Sequence, residues 1–288
     1  MIAITGASGQ LGRLVIEQLL EKIPAQQVLA LVRDPTKVAD LSLRGVQVRT
    51  ADYNRPETLL PALEGADKLL LISSSELGRR VAQHRNVIEA ATQAGVALLA
   101  YTSILHADTS PLGLAVEHRE TEALIKASTL SSVILRNGWY TENHIDGIPA
   151  ILQHGVVLGC ADDGRFATAA RADYAAAAVA VLLGEHQQGK VYELAGDTAY
   201  RLSELAEEVS RQSGKKITYQ NLPQANFKAA LVAAGFPEPF ADLLADSDAG
   251  AAKGGLFDDS RQLGRLIGRA TTRLEALVKD AVQSIVAQ

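Results

Sequence analysis

Residues 2–12 read IAITGASGQLG: a short apolar run, three evenly spaced glycines (Gly6, Gly9 and Gly12), and a helical pattern that starts before the last of them. A strand, a glycine-rich turn and a helix in immediate succession form a restrictive junction. Gly6 allows a tight turn off the strand, Gly9 lets backbone come close to a bulky anion, and Gly12 lets the helix lie against the sheet. Unpaired N–H groups in the first helical turn then face the anion, and the helix dipole favours negative charge there. The turn comprises Gly6, Ala7, Ser8, Gly9, Gln10, Leu11 and Gly12 in G-x-x-G-x-x-G spacing, a variant of the commoner G-x-G-x-x-G of dinucleotide-binding turns. A chain reversal with no ligand is the alternative, and the rest of the first half weighs against it.

That half alternates apolar runs at 2–5, 27–33, 46–52, 68–74, 97–103 and 132–137 with helical patterns near 9–20, 34–44, 56–63, 81–95 and 114–128. Such alternation predicts an α/β fold, a doubly wound parallel sheet of the Rossmann type with helices on both faces. Pro56 falls in a first turn, and Gly65, Gly95 and Gly214 follow apolar-periodic stretches as C-terminal caps do. Past Tyr140 the rhythm changes to irregular polar segments, an Ala-rich helix from Asp173, a strand near 190–195 and an amphipathic helix at 201–214. The expected division is a nucleotide-binding Rossmann domain over residues 1–140. A smaller C-terminal α/β lobe over 141–288 returns its strand to the sheet.

Composition narrows the partners. With 47% hydrophobic residues and a net charge of −5, the chain has no electrostatic footprint for a nucleic acid or an anionic membrane, so a small molecule is the expected partner. The longest apolar stretch, residues 174–184, falls short of the ~18 residues of a membrane span. No signal-like segment precedes the first strand, and the single cysteine, Cys160, rules out an internal disulfide framework and reads as a small buried hydrophobe. A cytoplasmic protein is expected, with a homodimer left open. The six histidines show no metal-ligand spacing.

In an open α/β sheet the ligand lies outside the carboxyl ends of the strands. After the second strand stands Arg33, whose planar, permanent charge suits a ribose 2′-phosphate, so NADPH is favoured with NADH as the alternative. Asp34, next in sequence, reads as the N-cap of a following helix. Asp52, after the third strand, is placed to meet the adenine amino group. Ser73, Ser74 and Ser75, after the fourth, are placed along the ribose and pyrophosphate.

Five pieces, ITGASGQLG at 4–12, LVRDP at 31–35, ADYNRPETL at 51–59, QHRNVIEAATQAGV at 83–96 and LRNGWYTEN at 135–143, resemble the NmrA-like, atypical branch of the short-chain dehydrogenase/reductase superfamily. The resemblance runs through almost the whole chain. It implies flavin-free hydride transfer from NADPH to a quinone; reduction of another conjugated, dye-like acceptor and NADPH sensing through a protein partner are the alternatives. It also implies cofactor-side roles for Asn137, Gly138, Trp139, Tyr140, Thr141, Glu142 and Arg171. Trp139, the lone indole, is suited to wall a planar substrate, and Asn143 to hydrogen-bond a quinone oxygen. One departure matters: where most such enzymes carry a Tyr-x-x-x-Lys pair, this chain has His118 and Glu122. They read as a solvent-facing i,i+4 pair, with His118 as proton donor the rival reading.

Arg33→Ala is expected to weaken NADPH binding selectively and to leave NADH affinity nearly unchanged, as read by titrating both nucleotides. An equal loss for the two would remove Arg33 as the reader of the 2′-phosphate.

Overall fold

The computed structural model describes residues 1–286. In chain order the first elements are β1 (Ile2–Ile4), α1 (Gln10–Leu20), β2 (Val28–Val32), α2 (Ala39–Leu43), β3 (Gln47–Thr50) and α3 (Leu59–Leu63). Next come β4 (Lys68–Leu71), α4 (Arg80–Gln93), β5 (Leu98–Ile104), α5 (Ala115–Ala127) and β6 (Ser132–Asn137). The second half adds α6 (Glu142–Ile145), α7 (Ile148–His154), β7 (Val156–Gly159), α8 (Arg171–Leu183), β8 (Val191–Leu194), α9 (Leu202–Ser213) and β9 (Thr218–Asn221). Four helices close the described chain: α10 (Gln224–Ala233), α11 (Glu238–Ala252), α12 (Gln262–Ile267) and α13 (Leu274–Val286).

Seven strands form one sheet in the order β3-β2-β1-β4-β5-β6-β8, and β1 pairs in parallel with β2 on one side and β4 on the other. The doubly wound architecture expected from the alternation is therefore present. Strand direction explains the composition: β1, β2 and β5 are buried at every residue, as parallel strands with both faces covered must be. Strand order reverses between β1 and β4, and a crevice opens at such a switch point.

The chain divides into two compact units. One comprises residues 1–104, 117–137 and 171–192; the other comprises 105–116, 138–170 and 193–288. In the first unit α1 lies against the Ala-rich α8, with Gln18 Nε2 donating to the Ala172 carbonyl at 3.0 Å. The small side chains of Ala175, Ala177 and Ala178 are buried on α8. Pro56 stands in a first turn as expected, and Gly65, Gly95 and Gly214 adopt φ of 74°, 71° and 69° after their helices, the left-handed conformation that ends a helix without a Cβ penalty.

The irregular polar segment expected at 160–173 is irregular up to α8, which opens at Arg171. Elsewhere beyond residue 140 the structure adds α6, α7 and α10 to α13, to which the sequence reading gave no element. It also has a second parallel sheet in which β7 pairs with β9 from Val156↔Thr218 to Gly159↔Asn221. Cys160 is buried here, its Sγ–H directed at the Ala245 carbonyl at 3.3 Å, and burial pushes the thiol up to about 12. Asp248 Oδ2 accepts from the Cys160 N–H at 3.0 Å.

At the opening junction, Gly6 has φ of 57° and its carbonyl accepts from the Gly9 N–H at 2.9 Å. A Cβ on Gly12 would stand 2.4 Å from that carbonyl oxygen and 2.8 Å from the Ala7 Cα. Both are backbone atoms that cannot swing aside. Alanine in a helix gains about 1 kcal/mol over glycine, but the clash outweighs that gain. Gly12→Ala is expected to destabilise the protein by about 1–3 kcal/mol net, as a lower denaturation midpoint at unchanged m-value; an unchanged or higher midpoint would show that α1 does not pack as described.

Candidate active site

A cavity of about 250 Å³ opens at the carboxyl ends of β1 to β4, lined by Gly6, Ser8 and Gly9 from the glycine turn and by Arg33, Asp52 and Ser73 to Ser75 from the strand ends. These expected residues come together. Four others of the turn do not line it: Ala7 and Leu11 are buried, Gly12 is packed beneath the turn, and Gln10 opens α1. Their part is to hold the turn's shape. Gly9 caps α1 with no side-chain acceptor, which leaves the first-turn N–H groups without the usual Ser or Asp partner and suits a bound anion.

Asp34 caps the turn beginning at Pro35, its Oδ1 accepting from the Thr36 N–H at 3.0 Å, so its expected local role is the one it has. Asp52 Oδ1 accepts from the Asn54 N–H at 2.9 Å, a turn contact made from within the cavity wall. Tyr53, also in the wall, donates its hydroxyl to the Ile72 carbonyl at 2.9 Å.

The loop after β4 is tied down by buried side chains. Ser73 N–H donates to Thr102 Oγ1 at 2.9 Å, and Ser74 N–H donates to His84 Nε2 at 2.9 Å. His84 Nδ1 then faces Thr121 Oγ1 at 2.9 Å, and that hydroxyl donates to the Glu117 carbonyl; the imidazole is therefore neutral with its proton on Nδ1. Arg80 Nε donates to the Ser74 carbonyl at 2.7 Å while its Nη1 meets Glu117 Oε2 at 3.4 Å. Several wall residues escaped sequence reasoning, among them Asn54, Glu76 and Gln83. Glu76 lies in the loop and Gln83, the first residue of the QHRNVIEAATQAGV piece, one turn into α4; the sequence gave neither a site role, and the fold of the loop brings them to the cavity. Gln83 is 3% exposed, and its Oε1 has no hydrogen-bond partner among the described residues, so the wall offers an acceptor awaiting a donor.

The reading of His118 and Glu122 as a solvent-facing pair is corrected. His118 is 4% exposed and its Nδ1 bonds the Tyr101 hydroxyl at 2.7 Å; burial drops its pKa well below the ordinary imidazole value. Glu122 accepts from Ser103 Oγ at 2.5 Å and from Arg136 Nε and Nη2 at 3.0 and 2.8 Å. The periodicity of α5 gave no sign that both would face the sheet, because polar residues on a helix usually mark its wet face. Asn137, last in β6, is buried with Oδ1 unpartnered among the described residues.

In the second unit, the segment after Asn137 is fixed by backbone bonds. Gly138 N–H donates to the Leu194 carbonyl at 2.7 Å, Ala169 N–H to the Trp139 carbonyl at 3.3 Å, and Thr141 N–H to the Ala169 carbonyl at 3.0 Å. A buried chain supports it: Thr141 Oγ1 meets Thr168 Oγ1 at 2.7 Å, Thr168 meets the Tyr200 hydroxyl at 3.2 Å, and that hydroxyl meets His144 Nδ1 at 2.7 Å. Trp139, Tyr140 and Glu142 are half-buried and Asn143 is exposed. Arg171, half-buried, opens α8 in the first unit.

This strand-end cavity over a glycine turn agrees with comparison to known proteins, in which the NAD(P)H-binding family model matches residues 6–185. The chain belongs to that family. It is 58% identical over 274 residues to quinone oxidoreductase 2 of Escherichia coli, covering 95% of this chain and 96% of that one. The crystal structure of an E. coli NADPH-dependent quinone oxidoreductase complexed with NADPH is similar, with a TM-score of 0.95 and 56% identity, covering 99% of this chain and 100% of that one. The Citrobacter triphenylmethane reductase complexed with NADP(H) matches with a TM-score of 0.94 and 39% identity, covering 98% of this chain and 100% of that one.

Burial also drops His84 to about 3 and His144 to about 4. Below about pH 6.5 the unfolded chain takes up protons that His84, His118 and His144 refuse in the fold. Stability is therefore expected to be full above that pH and to fall toward pH 4, each imidazole adding up to about 1.4 kcal/mol per pH unit. Urea unfolding at pH 7, 5.5 and 4.5 reads this, and a flat profile would contradict the neutral buried histidines.

Proposed function

We propose that the chain is an NADPH-dependent quinone oxidoreductase of the cytoplasm. The first unit holds the dinucleotide, and Trp139 and Asn143 are the acceptor-side residues. The observation that carries the reading is the cavity over the glycine turn, with Arg33 at the end of β2, in a chain similar along its full length to an E. coli enzyme named for quinone reduction.

The residues present fit the cofactor. The uncapped α1 N-terminus beside Gly6, Ser8 and Gly9 accommodates a pyrophosphate, and Arg33 provides charge for a 2′-phosphate. Asp52 and the unpartnered Gln83 Oε1 are acceptors for the adenine amino group, with Ser73, Ser74 and Ser75 along the ribose. Asn137 Oδ1, buried and unpartnered, is an acceptor for an amide N–H, and Gly138, Tyr140, Thr141, Glu142 and Arg171 complete the cofactor side. NADPH, when bound, supplies the hydride for the acceptor ring.

The protein's own contribution is orientation, and holding two reactants in a near-attack arrangement is worth about 7–11 kcal/mol. Backbone bonds at Gly138, Trp139 and Thr141 keep the Trp139 ring and the Asn143 amide on a rigid base. No proton is offered by the helix that supplies one in most short-chain dehydrogenases, since His118 is neutral and bonded to Tyr101 while Glu122 accepts from Ser103 and Arg136. A quinone tolerates this, because its reduced anion is delocalised and draws a proton from solvent, whereas an isolated carbonyl requires a positioned acid.

Purified protein is expected to oxidise NADPH in proportion to added 1,4-benzoquinone or a naphthoquinone and to show little activity toward simple ketones. Protein that binds NADPH yet shows no quinone-dependent oxidation would refute the proposal.

A further inference from the structure

Arg33 has a neighbour of opposite charge in the same cavity wall. Its Nη1 lies 3.3 Å from Glu76 Oε1, with Arg33 71% exposed and Glu76 34% exposed at the side chain. Glu76 Oε2 accepts from Gln83 Nε2 at 2.9 Å, and the Glu76 N–H donates to Ser74 Oγ at 3.1 Å. Gln83 Nε2 also donates to Asn54 Oδ1 at 3.1 Å. Because a carboxylate accepts and never donates, it fixes which end of the Gln83 amide faces it and leaves Oε1 as the buried, unpartnered atom. The Glu76 main chain is thus anchored to Ser74 and its carboxylate to a buried amide, with Arg79 Nη1 a second, exposed cation 3.6 Å from Oε2, whereas the Arg33 guanidinium is the exposed member of the cavity pair. An exposed pair of this kind is itself worth little, so Arg33 is readily drawn elsewhere.

We propose that Glu76 sets the nucleotide preference of this site in opposition to Arg33: its carboxylate accepts the ribose 2′-hydroxyl of NADH and repels the 2′-phosphate of NADPH. The proposal rests on the reading of the cavity as a nicotinamide dinucleotide site. In such sites an acidic residue by the ribose selects the free hydroxyl and an arginine accommodates the phosphate; here both stand within one ion-pair distance. A 2′-phosphate must draw Arg33 away from Glu76 and then sit beside a carboxylate that cannot leave without breaking its bond from the buried Gln83 Nε2. A 2′-hydroxyl meets no such opposition. The arrangement restrains preference for NADPH and keeps NADH usable, and it makes the ratio of the two affinities adjustable through one charge.

Glu76→Gln removes the charge while keeping a carbonyl oxygen for Gln83 Nε2. Calorimetric titration of the whole protein with NADP⁺, NAD⁺, 2′,5′-ADP and 5′-AMP is the test, because the two adenosine fragments report on the ribose end without any turnover. The variant is expected to bind NADP⁺ and 2′,5′-ADP more tightly and to raise the Kd ratio of NAD⁺ to NADP⁺ by about tenfold, the scale of one charge-assisted contact. Glu76→Asp, which keeps the charge, is expected to stay near the wild-type ratio. An unchanged ratio in Glu76→Gln, or an equal shift for phosphorylated and unphosphorylated ligands, would overturn the proposal. Wild-type protein that binds neither NADP⁺ nor NAD⁺ would overturn the nucleotide reading beneath it.

Discussion

The contact of Gly12 with the Gly6 carbonyl fixes the rest of the nucleotide end. A side chain at Gly12 would push α1 off the turn, and the uncapped first-turn N–H groups would no longer lie over the ends of β1 and β4. With glycine there, α1 packs flat and α8 can lie against it. The Gly6–Gly9 backbone bond then shapes the near wall of the cavity. A steric condition at one Cα thus becomes an electrostatic one at the helix N-terminus, where the helix dipole and free donors favour an anion.

The polar core beside β5 carries a second constraint. Glu122, Arg136 and Ser103 form a buried, hydrogen-bonded set, and His118 is hydrogen-bonded to the Tyr101 hydroxyl. Each group there has its partner, which is the condition for keeping charge inside a fold. The same pairing removes these groups from acid–base work. His84 is used in a similar way, as a neutral strut from α4 to the backbone of the loop after β4.

Much of this was legible in the sequence, for physical reasons. Parallel strands buried on both faces appear as apolar runs, and glycines at 65, 95 and 214 punctuate the chain because only glycine ends a helix there at no cost. Arg33 and the serines at 73–75 followed from where strands end. The Asp34 cap followed from its place before Pro35. What escaped depended on contacts distant in sequence: Gln83 and Glu76 reach the cavity only through the folded loop, and His118 and Glu122 face the sheet although their helix looks amphipathic in the opposite sense. Strand β9 was missed because its sequence, TYQN, is polar and largely exposed, whereas α10, α11 and α13 are apolar on balance and their helical character was open to reading from the sequence.

The central claim is that the glycine turn and the cavity above it hold the phosphates of a nicotinamide dinucleotide, and a crystal structure with NADPH tests it most directly. The pyrophosphate is expected on the backbone N–H groups between Gly6 and Gly12 and the 2′-phosphate against Arg33. Pyrophosphate density lying elsewhere, with those N–H groups facing only solvent, would contradict it.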